Sequence, residues 1–228
     1  MKTIGILGGI GPESTIDYYR LLLARALVLA ATKSPKIVIN SVDYWELRRL
    51  LEEGDEPGLA DMLVRDVDVL ARAGAGVAII AANTPHMVFD RVEPRAAIPL
   101  VSIVAATRDA AEARGLRRLG LLGTKYTAQA RFFPDAFAAR GLEIVMPPPD
   151  DIMYVHEKYV GELVEGRFLD STREGLVAVM DRLRARGVDG VILGGTELPL
   201  ILRGVRYELP LLDTTQIHVD ATLQAALR

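Results

Sequence analysis

The segment TIGILGGIGPEST, residues 3–15, decides the fold. Thr3 to Leu7 is a short apolar run of strand type, Gly8-Gly9-Ile10-Gly11 is a tight turn, and from Pro12 to Leu29 the apolar residues recur with helical period. Pro12 suits the first helical turn, where its missing N–H would have no partner anyway. The same strand–turn–helix unit then repeats. Apolar runs follow at Lys36–Asn40, Gly76–Ala81, Pro99–Ile103, Arg118–Gly123, Leu142–Val145, Gly190–Leu193 and Leu209–Leu212. Amphipathic stretches of helical length lie between most of them, at Leu59–Ala73, Val104–Arg114, Ala128–Arg140 and Thr172–Arg186. Strands alternating with helices imply a parallel sheet covered on both faces, because each parallel crossover lays a helix on the sheet.

The chain also repeats itself on a larger scale. Residues 3–8 (TIGILG) resemble 118–123 (RLGLLG), 74–77 (GAGV) resemble 188–191 (VDGV), and 98–101 (IPLV) resemble 209–212 (LPLL). Buried strands resemble one another by composition, so one match decides nothing. Three in the same order at nearly the same offset predict an α/β protein of two pseudo-symmetric parallel-sheet domains, with a ligand cleft between them. The expected division is 1–102 plus 209–228 for the first domain and 103–208 for the second. Ligands of open α/β sheets bind beyond the carboxyl ends of the strands, which directs attention to the loops at 8–15, 81–86, 123–129 and 194–198.

Composition narrows the function. The 228 residues carry 27 basic and 30 acidic side chains, a net charge of -3, and no basic stripe interleaved with aromatics, so nucleic acid is not the expected partner. No apolar run is long enough to span a bilayer, and the chain enters its first strand without a signal-peptide core, which predicts a cytoplasmic protein away from membranes. There is no cysteine, which excludes disulfides, thiolate metal sites and a cysteine nucleophile together. The three histidines, His86, His156 and His218, are not at a metal-ligand spacing, so no metal is expected.

Four loops carry the candidate chemistry. GGIGPEST (8–15) has glycines at a strand-to-helix turn but lacks the third glycine of a dinucleotide fingerprint; it suits backbone amides turned toward a small carboxylate. AANTPH (81–86) and GGTELP (194–199) place Asn83, Thr84 and Thr196 where they either donate to a carboxylate oxygen or cap the following helix. His86 is either a base near neutral pH or a packed first-turn side chain. Glu197 is either an acid or base, or a first-turn carboxylate complementing the helix dipole.

These stretches, with NSVDYWEL (40–47), LLGTKYT (121–127), ILGGTELPL (192–200) and PLLDTTQIH (210–218), resemble the aspartate/glutamate racemase family along essentially the whole chain. The resemblance implies two pseudo-symmetric α/β domains, a homodimer, and cofactor-independent racemisation of an amino acid by two acid/base residues on opposite faces of the substrate Cα. Those residues are characteristically cysteines, one in a CNT motif and one in a GCTE motif. Here their places are taken by Ala82 and Gly195. By the same resemblance Asn83, Thr84, Thr124, Thr127 and Thr196, with the Gly9-Ile10 backbone, hold the carboxylate and amino groups of a small amino acid or dicarboxylate. Arg48 or Arg49 is placed either to meet a distal carboxylate or to lie solvated at the surface. The segment around Val164 shows no basic residue where archaeal aspartate racemases tend to carry one.

Three readings follow. The first is an isomerase in which Glu197 and His86 substitute for the thiols. The second is a catalytically silent binding or regulatory homologue, and the third a cysteine-knockout variant of an active racemase.

Overall fold

The computed structural model describes residues 1–30 and 34–228. They form two compact units, one of Met1–Ile103 with His218–Arg228, the other of Val104–Ile217.

The first unit is built on a parallel sheet of β1 (Ile4–Gly8), β2 (Ile37–Ser41), β3 (Val77–Ile80) and β4 (Leu100–Val101) in the order β2-β1-β3-β4. Its central strands are buried along their whole length, and alternate residues serve opposite faces. Leu7, Ala78 and Ile80 face a core shared with Leu47 and Leu50 of α2 (Tyr44–Glu53) and Leu59, Leu63 and Leu70 of α3 (Glu56–Arg72). Ile4, Ile6, Val77 and Ile79 face Tyr18 and Leu22 of α1 (Pro12–Ala30) and Val219 and Leu223 of the C-terminal helix (Thr214–Leu227). Helix α2 is absent from the sequence reading although Leu47, Leu50 and Leu51 recur on one face; it spans fewer than three turns. Its start is fixed by Asp43, whose carboxylate accepts from the N–H groups of Trp45 at 2.9 Å and Glu46 at 3.4 Å.

The second unit repeats the plan. Strands β5 (Arg118–Leu122), β6 (Glu143–Val145), β7 (Gly190–Leu193) and β8 (Leu211–Asp213) pair in the order β6-β5-β7-β8. The equivalence extends to single hydrogen bonds. The Ala81 N–H donates to the Leu7 carbonyl at 2.9 Å and the Gly194 N–H to the Leu122 carbonyl at 2.7 Å. Likewise Ala78 donates to Pro99 at 2.9 Å and Val191 to Pro210 at 3.0 Å. Positions 82 and 195 therefore occupy the same place, two residues beyond the third strand of their sheets. The intervening chain supplies α4 (Phe89–Val92), α5 (Ile103–Ala113), α6 (Lys125–Gln129), α7 (Phe132–Ala138), α8 (Pro149–Lys158), α9 (Asp170–Ala185) and α10 (Leu198–Ile201), with α11 the C-terminal helix.

Two expectations change. The single helix expected over 128–140 is broken into α6 and α7 at Ala130 and Arg131, where Ala130 turns extended (ψ 154°). The segment 209–217, expected in the first domain, lies in the second, because β8 pairs with β7. Only the helix that follows it returns to the first unit, where Val219 and Leu223 close the face left by α1. The fourth strand of each sheet is thus followed by a helix of the other unit, α5 after β4 and most of α11 after β8.

Leu223, buried in that face, should be among the costliest truncations of the C-terminal helix. Leu223→Ala is expected to lower stability by about 2–5 kcal/mol in urea unfolding; a loss below about 1 kcal/mol would show that α11 does not close the first unit's core.

Candidate functional site

In the first unit the loop after β3 runs Ala81-Ala82-Asn83 into a 3-10 turn at Thr84–Val88. Ala82, Asn83 and His86 are buried and Thr84 partly so. The side chain of Asn83 makes no capping bond, so the helix-cap reading does not apply to it. His86 is fully committed. The N–H of Ile103 donates to its Nε2 at 3.3 Å, so the ring proton sits on Nδ1 and donates to the Ala82 carbonyl at 2.9 Å. Phe89 stacks on the ring with centroids 5.1 Å apart. Burial, reinforced by the nearby His218, lowers its pKa to about 3.

His218 has a matching role. Its Nε2–H donates to the Val101 carbonyl at 2.8 Å, and its Nδ1 accepts from the Tyr18 hydroxyl at 2.8 Å. Burial lowers its pKa to about 4. His86 and His218 meet edge to face, with centroids 5.9 Å apart. Together they fasten the chain on either side of Ser102, at the end of β4. As a substitute acid or base, the role considered for it from sequence, His86 has no nitrogen left to offer.

The glycine loop after β1 is also internally satisfied. Gly9 has φ +83°, and a Cβ there would stand 2.5 Å from Ser41 Oγ, so only glycine fits. Its N–H donates to Thr15 Oγ1 at 2.9 Å, which removes that amide from the set expected to meet a carboxylate. Ile10 beside it is partly exposed. Arg48 bonds Glu52 at 2.8 Å and lies 5.7 Å over the Trp45 ring, while Arg49 bonds Glu53 at 2.6 Å. These are i,i+4 surface pairs, the solvated alternative rather than a carboxylate clamp.

In the second unit, Thr124 caps α6, its Oγ1 accepting from the Thr127 N–H at 3.4 Å and meeting Thr127 Oγ1 at 3.4 Å. Both threonines are buried. The loop after β7 holds the feature that sequence reading missed. Gly195 lies outside the left-handed region, so its backbone accepts any residue, but its side-chain space does not. A Cβ there would stand 2.4 Å from Tyr159 Cε2, 2.9 Å from Cζ and 3.0 Å from the hydroxyl. Tyr159 begins the π turn Tyr159–Leu163 that follows α8 and is itself buried in the unit's core. Its hydroxyl donates to Glu197 Oε2, which also accepts from Thr196 Oγ1 at 3.1 Å. Thr196 and Glu197 are buried. Burial, then the charge and hydrogen bond of Glu197, push the Tyr159 pKa well above its ordinary value; hydrogen bonds from Thr196 and the Glu197 backbone oppose the shift. No local pattern marks Tyr159, which lies 36 positions before Gly195 and reaches it only because the π turn packs beside α10 and the loop that precedes it.

Among the described residues no group of three or more His, Asp or Glu side chains could hold a metal ion, and no helix is long and apolar enough to cross a membrane.

Residues 7–222 match the family model described as Asp/Glu/Hydantoin racemase. The broad specificity amino-acid racemase RacX of Bacillus subtilis is 19% identical over 98% of both chains. Among solved structures, a candidate Asp/Glu racemase from Yersinia pestis is 34% identical with a TM-score of 0.89, and an aspartate racemase homologue from Pyrococcus horikoshii is 33% identical with a TM-score of 0.84. Each covers 100% of both chains.

Two outcomes test this geometry. The first concerns pH. Each buried histidine has a folded pKa below its unfolded value of about 6.5, so the unfolded chain binds more protons and stability falls as pH drops through 6.5 toward 4. At pH 5 each histidine should have removed about 2 kcal/mol relative to pH 7.5, and His218→Gln should flatten the profile; a profile unchanged by that substitution would be inconsistent with a neutral His218. The second concerns space. Gly195→Cys should cost about 1–3 kcal/mol by overpacking against Tyr159, with the penalty reduced in a Tyr159→Leu background; additive losses would contradict the contact.

Proposed function

This chain belongs to the Asp/Glu/hydantoin racemase family, and from that premise we propose that it binds a small amino acid or dicarboxylate at its strand-end loops without two-thiol racemisation. The observation that carries the reading is the filled space beside Gly195. A thiol there would collide with the Tyr159 ring, and its equivalent position in the first unit is an alanine with no acid or base to offer. The retained polar residues of the loops, Asn83, Thr84, Thr124, Thr127 and Thr196, support carboxylate or ammonium recognition by hydrogen bonding. Arg48 and Gly9 are weaker candidates, since their side chain and amide have intramolecular partners. Of the two substitute acid/base candidates Glu197 is the stronger, because both ring nitrogens of His86 are bonded to backbone groups.

The presence of Tyr159 in this space also argues against a cysteine removed by substitution. Such a change leaves a gap, whereas here a large side chain already packs where the thiol would lie. The family resemblance further supports a homodimer working in the cytoplasm without a cofactor, and light scattering after gel filtration reports the first of these.

A thermal-shift panel of L- and D-amino acids and dicarboxylates should give at least one ligand that stabilises the protein, by about 2.7 kcal/mol at a hundredfold excess over Kd. Chiral chromatography of that ligand after long incubation should show a single enantiomer. Absence of any stabilising compound would overturn the binding reading, and interconversion of enantiomers would overturn the loss of two-sided chemistry.

A further inference from the structure

The residues beside Gly195 do more than fill volume. The Tyr159 hydroxyl comes within 3.0 Å of the position a side chain at 195 would give its Cβ, so an ionisable oxygen stands in the neighbourhood where that side chain would carry its functional atom. That hydroxyl is not idle, since it already donates to Glu197 Oε2, and Glu197 is steadied by Thr196 Oγ1 at 3.1 Å. A neutral phenol bonded to a carboxylate is a proton relay: it can accept a proton at its oxygen while releasing its own to the carboxylate, and remain neutral throughout. The first unit offers nothing comparable. Ala82 has no acid or base, and both ring nitrogens of His86 are bonded to backbone groups.

We propose that Tyr159, backed by Glu197, is a one-sided proton relay for the carbon acid of a bound carboxylate ligand, so that the protein exchanges the α-proton of one enantiomer without inverting it. The proposal rests on the reading that a small amino acid or dicarboxylate binds at these loops. The α-proton passes to Tyr159 Oη as the phenolic proton moves along its hydrogen bond to Glu197 Oε2. The electron pair of the broken C–H bond stays on the ligand, delocalised into its carboxylate. Glu197 ends protonated and neutral, and the tyrosine is regenerated. Reversal restores the C–H bond on the face from which the proton left. It delivers to Cα the hydrogen held on Tyr159 Oη, so where that hydrogen has meanwhile been replaced by a solvent deuteron the ligand leaves with deuterium at Cα and its configuration unchanged. Neither an oxidant nor a second substrate is consumed.

The experiment incubates the full-length protein in D₂O separately with L- and D-aspartate, glutamate and alanine, follows the α-proton signal by NMR, and determines configuration by chiral chromatography. Exchange into one enantiomer with retention is the expected result. Tyr159→Phe keeps the ring against Gly195 and removes only the hydroxyl; its melting temperature should fall because buried Glu197 loses a donor, but the ligand-induced shift measured from that lower baseline should match the wild type while exchange falls about 100-fold or more. Glu197→Gln, which can accept the phenolic hydrogen bond but cannot take up the proton, should lose exchange in the same way. Thermal stabilisation by a ligand with no exchange, exchange accompanied by inversion, or wild-type exchange in Tyr159→Phe would each overturn the relay and leave binding standing. Lack of stabilisation by any of these compounds together with no exchange would overturn both.

Discussion

A parallel sheet buried on both faces leaves polar side chains only one place to gather, beyond the ends of its strands. In this protein the central strands are apolar apart from Arg118, with Ile4, Ile6 and Leu7 in one unit and Leu119, Leu121 and Leu122 in the other all inaccessible to water. The polar side chains singled out from the sequence as site candidates, Arg48 and Arg49 apart, accordingly sit in the loops and first helical turns after β3, β5 and β7. Those loops turn into helices at once, so each polar residue must choose between serving the turn, the core and a ligand. The local chemistry of the molecule follows from how each choice is made.

In the first unit the choice is mostly inward. Thr15 holds the Gly9 amide, which stabilises a turn that only glycine can make. His86 and His218 hold backbone groups at Ala82, Val101 and Ile103 and remain neutral because burial penalises the imidazolium. A buried histidine with both nitrogens satisfied is a rigid crosslink between chain segments. It fixes β4 against the loop after β3 more tightly than an apolar contact of the same size, because leaving either nitrogen unpaired would carry a desolvation penalty.

In the second unit the inward choice preserves reactive groups. Tyr159, Thr196 and Glu197 satisfy one another around the space beside Gly195. A glycine at 195 and a tyrosine at 159 are coupled sterically: either could be changed alone only at the expense of a clash or a void. At Gly195, one of the two positions where the family resemblance implies a thiol, a phenol bonded to a carboxylate occupies the volume a side chain would take.

The sequence by itself determined the eight strands, their parallel sense and the duplication, because strand burial and glycine turns are local patterns that recur with a period the eye can compare. It also identified the loops at 81–86 and 194–198 and the two residues, Ala82 and Gly195, where thiols are missing. Packing alone decided the rest. The placement of 209–217 in the second unit followed from the pairing of β8 with β7, a hydrogen-bond ladder between segments far apart in the chain. Whether the histidine at 86 was a base or a packed side chain was decided by its two backbone partners, 4 and 17 residues away. Tyr159 carried no sequence signal, since its importance lies in a distance to Gly195 set by how the π turn packs beside α10. Hydrophobic period is written residue by residue, whereas the partner of a buried polar group is fixed only when the chain has folded around it.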